Sequence, residues 1–99
     1  MLQINYRQGI YEVKGKLSAQ NSKSLKMHFE NLLNIKSELV ISLDKLQNID
    51  TSGINTIISL YKNALRDNKI LYIIGKTNEH INNSIAKSKL KYIVKSDFI

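Results

Sequence analysis

The order of hydrophobic and polar residues along the chain predicts five β-strands. Residues 2–6 and 10–14 alternate apolar and polar side chains across a short turn, which is the pattern of a β-hairpin. Residues 39–43 and 70–74 are instead apolar runs rich in branched side chains, as is typical of strands buried on both faces. Residues 92–94 form a shorter run of this kind and predict a last strand.

Two longer segments repeat their apolar residues with helical spacing. Residues 21–35 place large apolar side chains on one face, and residues 54–65 do the same. The two stripes are Leu25, Phe29, Leu32 and Leu33, and then Ile54, Ile57, Ile58, Tyr61 and Leu65. A third, shorter helix is predicted around Ile81 and Ile85.

The expected helix caps complete the element order. Asn21 or Ser22 is expected to begin the first helix, and Thr77 the third, because short polar side chains accept from unpaired N–H groups there. The resulting order is ββαβαβαβ. This order predicts an α/β fold with a mixed sheet of four or five strands and helices mainly on one side. Residues 1–99 are expected to form one domain, since no linker or repeat interrupts them.

The composition is that of a small cytoplasmic domain. Apolar residues make up 42% of the 99 residues, which is enough for one core, and cysteine is absent, so no disulfide supports the fold. Asn5 and Arg7 interrupt the N-terminal apolar residues early, so we expect no signal peptide. No apolar run approaches the length of about 20 residues that a membrane helix needs, so we expect no transmembrane segment.

The titratable and nucleophilic residues do not suggest an enzyme or a metal protein. His28 and His80 are the only histidines, and together with the lack of cysteine this argues against a metal site. We find no arrangement typical of a catalytic triad, paired catalytic carboxylates or a glycine-rich phosphate loop. We therefore expect a binding module that has neither catalytic activity nor a cofactor.

The net charge of +7 is compatible both with nucleic acid and with an acidic protein partner. The basic residues form no long run and are not interleaved with aromatic residues, so we do not expect direct nucleic-acid binding. Four lysines nevertheless follow one another closely near the C-terminus, at positions 87, 89, 91 and 95. A solvated edge of the sheet is the favoured interpretation of this segment, and an acidic partner surface or lipid headgroups are the alternatives.

The most informative motif joins the third predicted strand to the second predicted helix. Asp50, Thr51 and Ser52 are residue types that accept from the N–H groups of a first helical turn, and Gly53 permits close approach of another segment. Plain capping by Asp50 or Thr51 is one interpretation. A second is a phosphorylation site, because a helix N-terminus tolerates the negative charge of a phosphate on either hydroxyl.

The motif and its surroundings resemble the STAS domain, the family of sulphate transporters and anti-sigma-factor antagonists. In that family a buried strand leads to Asp, two hydroxyl residues, Gly and an aliphatic residue, as in residues 50–54. Residues 13–17 resemble the family's second strand with its Gly-x-Leu ending, and residues 70–75 resemble its fourth strand. The resemblance implies an anti-sigma-factor-antagonist-like regulatory module.

The resemblance also implies roles for individual residues. Thr51 corresponds to the phosphoacceptor of the regulatory branch, with Ser52 as the alternative. The implied partner is a GHKL-type serine kinase that is also the anti-sigma factor, and only the unphosphorylated form binds it. The implied partner-binding residues are Leu17, Ser18, Asp50, Ser52, Gly53 and Asn55.

A second branch of the family implies a different partner. Its short members are small cytoplasmic subunits of phospholipid-trafficking ABC transporters, and they also carry an Asp-Thr-x-Gly loop. In these proteins the loop contacts the ATPase subunit and is not a kinase substrate. The sequence leaves both partners open, and it does not indicate an oligomeric state.

Overall fold

The computed structural model describes residues 2–96; Met1 and residues 97–99, the ends of the predicted domain, lie outside the described part. Within residues 2–96 the chain forms six strands, three α-helices and one 3-10 helix. The strands are β1 (Gln3–Arg7), β2 (Ile10–Leu17), β3 (Glu38–Ser42), β4 (Leu46–Ile49), β5 (Ile70–Ile74) and β6 (Val94–Lys95). The helices are α1 (Ser22–Ile35), α2 (Thr51–Arg66), α3 (Asn82–Ala86) and the 3-10 helix Lys89–Tyr92.

The strands form one mixed sheet in the order β1-β2-β3-β5-β6, with β4 paired to β2. The hairpin strands β1 and β2 are antiparallel, and every other pair in the described chain is parallel. Tyr11, Ile41, Ile73 and Val94 lie in one row across four strands. All four contribute to the hydrophobic core, so this row marks the face of the sheet that the helices cover.

The helices pack on that face and on one another. Helix α1 packs against α2 and β3, while α2 packs against β4, β5 and the 3-10 helix. The most deeply buried side chain of α1 is Phe29, whose ring meets the ring of Tyr11 edge to face at 5.9 Å. The predicted α/β class with a mixed sheet is confirmed. No helix within residues 2–96 is both long and apolar enough to cross a membrane.

Strand β4 is an addition to the predicted order. Its inward residues, Leu46 and Ile49, are three positions apart with Gln47 and Asn48 exposed between them, so the segment lacks the period of two that indicates a strand. Strand β2 makes room for β4 by changing partner along its length. Residues 10–12 pair with β3, and residues 15–17 pair with β4, with a register shift between Gly15 and Lys16.

The buried stripe of α2 differs in part from the predicted one. Ile57 is fully buried as expected, but Leu60 and Ala64 complete the stripe, and Leu65 is 58% exposed. Ile54 and Tyr61, like Ile58, are only partly buried. Leu65 is exposed because α2 is rotated so that Leu60 and Ala64 face the core.

In the C-terminal third one predicted cap was wrong, and the predicted last strand is present but begins later than expected. Thr77 caps no helix, because it lies in a turn and α3 begins only at Asn82 after Ile81. The last strand begins at Val94, since the preceding residues form the 3-10 helix Lys89–Tyr92. The core here is nevertheless formed by the residues expected from the sequence, with Ile81, Ile85 and Leu90 buried.

Candidate functional site

The residue that organises the predicted loop is Asp50, which is the N-cap of α2. Its backbone is extended, and its Oδ1 accepts a hydrogen bond of 2.9 Å from the N–H of Gly53. Its Oδ2 accepts a second bond of 3.1 Å from the N–H of Ala19, in the loop after β2. A carboxylate can serve two donors in this way because each oxygen has its own lone pairs. Asp50 therefore both caps α2 and ties it to the neighbouring loop.

Strand β4 brings these two loops together. Leu17, at the end of β2, pairs with Ile49, at the end of β4, and the N–H of Asp50 donates to the carbonyl oxygen of Leu17 at 3.1 Å. Because the strands are parallel, their carboxyl ends lie at the same edge of the sheet. The residues that the family resemblance implied, from positions 17–18 and 50–55, are thus neighbours in the structure.

Gly53 is required by close packing. It is buried in the first turn of α2, and a Cβ built there would lie 2.8 Å from Ile49 Cγ1, from Leu17 Cγ and from the carbonyl oxygen of Leu17. Such distances are far below ordinary van der Waals contact, and one of the three atoms belongs to the backbone. Gly53 therefore lets α2 begin directly against the ends of β2 and β4, but it presents no side chain to a partner.

The hydroxyl residues of the loop differ in exposure. Thr51, the first residue of α2, is exposed, whereas Ser52 is half-buried. Asn55, one turn further along, is exposed as well. Leu17, another of the predicted contact residues, is only 1% exposed, so its side chain supports the loop from the core side. Thr51 is thus the more accessible of the two candidate phosphoacceptors.

Asn21 is a further residue of the site, and the sequence analysis predicted it only as a helix cap. Asn21 precedes α1 as expected, but its side chain caps no N–H of that helix. Its Oδ1 accepts from the N–H of Ser18 and its Nδ2 donates to the carbonyl oxygen of Lys16, both at 2.9 Å. The Asn21 side chain thereby closes the loop that carries Ser18. An Asx residue shortly after a strand end was the available signal, but it also fits a simple helix cap.

Asn78 is a second residue that the sequence analysis missed. It is 6% exposed, and its Nδ2 donates to the carbonyl oxygens of Leu43 at 2.7 Å and Leu46 at 2.8 Å. Its Oδ1 accepts from the N–H of His80. A buried amide with all these bonds stabilises the turn that leads into β4, so it supports the position of the loop after that strand.

Two open clefts flank Asp50. One is lined by Lys16 and Ser18 together with the residues around them, and the other lies between the first turn of α2 and the end of α3. The second cleft is lined by Ile49, Asp50, Thr51, Ile54, Asn55, Ser84, Lys87 and Ser88. Both clefts are partly open to solvent, which fits protein contact better than capture of a small molecule.

The described residues offer little for metal binding or acid–base chemistry. Residues 2–96 contain no group of three or more His, Cys, Asp or Glu side chains that could hold a metal ion. His28 and His80 are both exposed and far apart in sequence. The site carboxylate, Asp50, already accepts from two backbone N–H groups. What the site presents to solvent is therefore the hydroxyl group of Thr51 on a surface held by hydrogen bonds.

Comparisons with known proteins identify the family and the fold. The STAS domain model matches residues 1–96, whereas curated protein sequences give no match. An anti-sigma factor antagonist from Mycobacterium paratuberculosis is 13% identical with a TM-score of 0.77, over 99% of this chain and 86% of that chain. A putative one from Thermotoga maritima is 17% identical with a TM-score of 0.73, over 95% and 83%.

The phosphorylated form of the Bacillus cell fate determinant SpoIIAA is similar as well. It is 9% identical with a TM-score of 0.68, over 99% of this chain and 92% of that chain. At these identities the structural likeness shows a common fold, and the family model covers nearly the whole sequence. The chain belongs to the STAS domain family.

Proposed function

We propose that this protein is an anti-sigma-factor-antagonist-like regulatory module whose partner binding is switched by phosphorylation of Thr51. The observation that carries the proposal is the exposure of Thr51 at a helix start that is held rigidly by Asp50 and Gly53. The proposed partner is a GHKL-type serine kinase that also acts as an anti-sigma factor. The similarity in fold to anti-sigma factor antagonists supports this choice of partner class.

The site is suited to a switch that works by charge. A phosphate on Thr51 would add about −1.5 to −2 charges at neutral pH. Since Thr51 and Asn55 are exposed on the same side of α2, a partner that docks there would have to desolvate this charge. The partner would dissociate without a large rearrangement of the domain, because Thr51 is exposed and Asp50 makes the cap of α2.

The hydrogen bonds of the loop support a preformed docking surface. Asp50 connects α2 to Ala19, and Asn21 closes the loop around Ser18. Both sides of the surface are therefore fixed before a partner arrives, which lowers the entropic cost of association. Ser18, Asp50 and Asn55 are the proposed contacts, and Ser52 and Gly53 maintain the shape of the turn.

The test begins with identification of the partner. The tagged protein is recovered from its native cells, and bait and prey are analysed by mass spectrometry. A GHKL-type kinase among the prey and phosphate on Thr51 are the expected results. An ABC-transporter ATPase with an unmodified bait would instead support the transporter-subunit hypothesis and make the same loop a permanent contact.

Binding of the identified partner is then measured by calorimetry with Thr51→Glu. We expect the affinity to fall at least about tenfold, equivalent to about 1.4 kcal/mol. The matched control is Thr77→Glu, which makes the same chemical change at an exposed turn outside the docking surface and should bind as the wild type does. If Thr51→Glu keeps its fold by circular dichroism and binds as tightly as wild type, the switch hypothesis is wrong.

A further inference from the structure

The cleft between α2 and α3 contains one cation, Lys87. Lys87 follows the last residue of α3 and is exposed, and it lines the same cleft as Thr51 and Asn55. The charged residues that line this cleft are Asp50 and Lys87. Any negative charge added to Thr51 would therefore arise in a cleft that is lined by one anion and one cation.

Within the described residues 2–96, the carboxylate of Asp50 already accepts hydrogen bonds, whereas the ammonium group of Lys87 forms no ion pair. Both Asp50 oxygens accept from backbone N–H groups, of Gly53 and Ala19. The ion pairs among residues 2–96 are Lys45 with Glu12 and Arg66 with Asp67, so Lys87 takes part in neither. The ammonium group of a lysine is a compact charge on a flexible four-carbon stem, so it can turn toward a new anion.

We propose that Lys87 is the charge partner of a phosphate carried by Thr51, and that it sets how fully that phosphate ionises. This inference rests on the proposed function, because it concerns the phosphorylated form. Asp50 would repel the phosphate dianion, while Lys87 would stabilise it across the cleft. Phosphorylation would then also engage Lys87, removing a positive charge from the surface offered to an acidic partner.

The chain provides a matched control for this charge. Lys16 is exposed like Lys87, and it lines the cleft on the other side of Asp50, which Thr51 does not line. Lys16→Gln and Lys87→Gln thus remove the same charge from the two sides of one carboxylate. If only the net charge matters, both variants should change the ionisation of the phosphate equally. If Lys87 is the specific charge partner, only Lys87→Gln should change it.

The experiment uses the full chain with phosphothreonine installed at position 51 by chemical ligation or by genetic encoding. The second ionisation of the phosphate is followed by ³¹P NMR as a function of pH at low salt. By Coulomb's law in a water-like medium, removing a cation from the same cleft should raise the pKa of this ionisation by about 0.5, and we expect this for Lys87→Gln. Lys16→Gln should change it by less than half as much, and high salt should reduce the difference.

Equal shifts in the two variants, or no shift in Lys87→Gln, would overturn the inference. Thermal melting of the unphosphorylated variants checks that neither substitution disturbs the fold. Because the phosphate is installed without a kinase, the outcome does not depend on the partner. If the chain is never phosphorylated in cells, the proposed function is refuted, but the measured effect of Lys87 on the phosphate still stands. If Lys87→Gln has no specific effect, the inference about Lys87 is refuted, but the Thr51→Glu binding test of the proposed function still stands.

Discussion

Helices α1 and α2 both begin after an Asx residue, yet the two side chains are used in opposite ways. Asp50 accepts from the N–H of Gly53 and so caps its own helix. Asn21 reaches back to Lys16 and Ser18 and leaves the first turn of α1 without a side-chain cap. The Asp50 side chain is bonded to its own helix and to a neighbouring loop, whereas the Asn21 side chain is bonded only to the loop before its helix.

The chemistry of the two side chains explains the difference. A carboxylate only accepts, so the two oxygens of Asp50 take two N–H donors, those of Gly53 and Ala19. An amide both donates and accepts, so Asn21 can satisfy a carbonyl oxygen and an N–H of the same loop at once. The residue type limits which hydrogen bonds a side chain can make, and the donors and acceptors close to it in space decide which of them it makes.

The third residues of the two helices also differ. In α2 this is Gly53, buried against Leu17 and Ile49, and in α1 it is Ser24, which is exposed. The third position of α2 is thus fixed by packing as well as by the Asp50 hydrogen bond, while the third position of α1 faces solvent even though Ser22, at the start of that helix, is buried. Substitutions at equivalent positions should therefore have unequal effects.

The largest effect is expected for Gly53→Val. Its side chain would meet Ile49 Cγ1, Leu17 Cγ and the Leu17 carbonyl oxygen, so we expect the free energy of unfolding to fall by about 3 kcal/mol. Urea denaturation followed by circular dichroism measures this loss. Ser24→Val, at the equivalent position of α1, is the control and should cost less than about 1 kcal/mol. Similar losses for both would refute the contrast in packing.

Asp50→Ala should have the next largest effect. It removes the cap of α2 and the bond to Ala19, so we expect a loss of about 2 kcal/mol in the free energy of unfolding. Asp50→Asn keeps one oxygen that can accept from Gly53 but places an amide where Ala19 donates, so about half of the loss should remain. If Asp50→Asn is as stable as wild type by urea denaturation, the bond to Ala19 contributes nothing.

Asn21→Ala should cost about 1 kcal/mol, because the N–H of Ser18 and the carbonyl oxygen of Lys16 lose their side-chain partner at a partly exposed position. Hydrogen exchange should show faster exchange at Ser18, with little change in the first turn of α1. Faster exchange confined to α1 would mean that Asn21 acts as a helix cap after all.

Thr51→Ala should have the smallest effect. On residue type alone, Thr51 was a candidate cap and its removal would cost about 0.5–2 kcal/mol. Asp50 makes the cap instead and Thr51 is exposed, so the change in the free energy of unfolding should lie within about 0.5 kcal/mol. A larger loss in thermal or urea denaturation would give Thr51 a structural role that competes with its proposed regulatory one.

Much of the fold follows from hydrophobic periodicity. The hairpin, the two apolar central strands and the two long helices appear where their patterns predicted them. Strand β4 did not, because only Leu46 and Ile49 of its four residues face inward and the polar pair between them imitates a loop. The short C-terminal elements were also misplaced, since a helix such as Asn82–Ala86 is shorter than two turns and shows little periodicity.

The candidate site was predictable in its residues but not in its connections. The motif at positions 50–53 identified the helix start and a glycine that permits close approach. The bond from Ala19 to Asp50 spans 31 positions in sequence and depends on β4 pairing with β2, so no local pattern reports it. The buried amide of Asn78, which bonds to Leu43 and Leu46, depends on long-range packing in the same way.

The sequence by itself determined the α/β class, the family resemblance and the residue types at the loop, because these depend on periodicity and local backbone preferences. Tertiary structure alone decided which Asx residue became a cap, why Gly53 is needed and which cation lines the cleft with Thr51. The physical reason is that hydrogen bonds and steric limits act between groups that are close in space. Lys87 lies 36 positions after Thr51 in sequence, and only the folded chain places the two in one cleft.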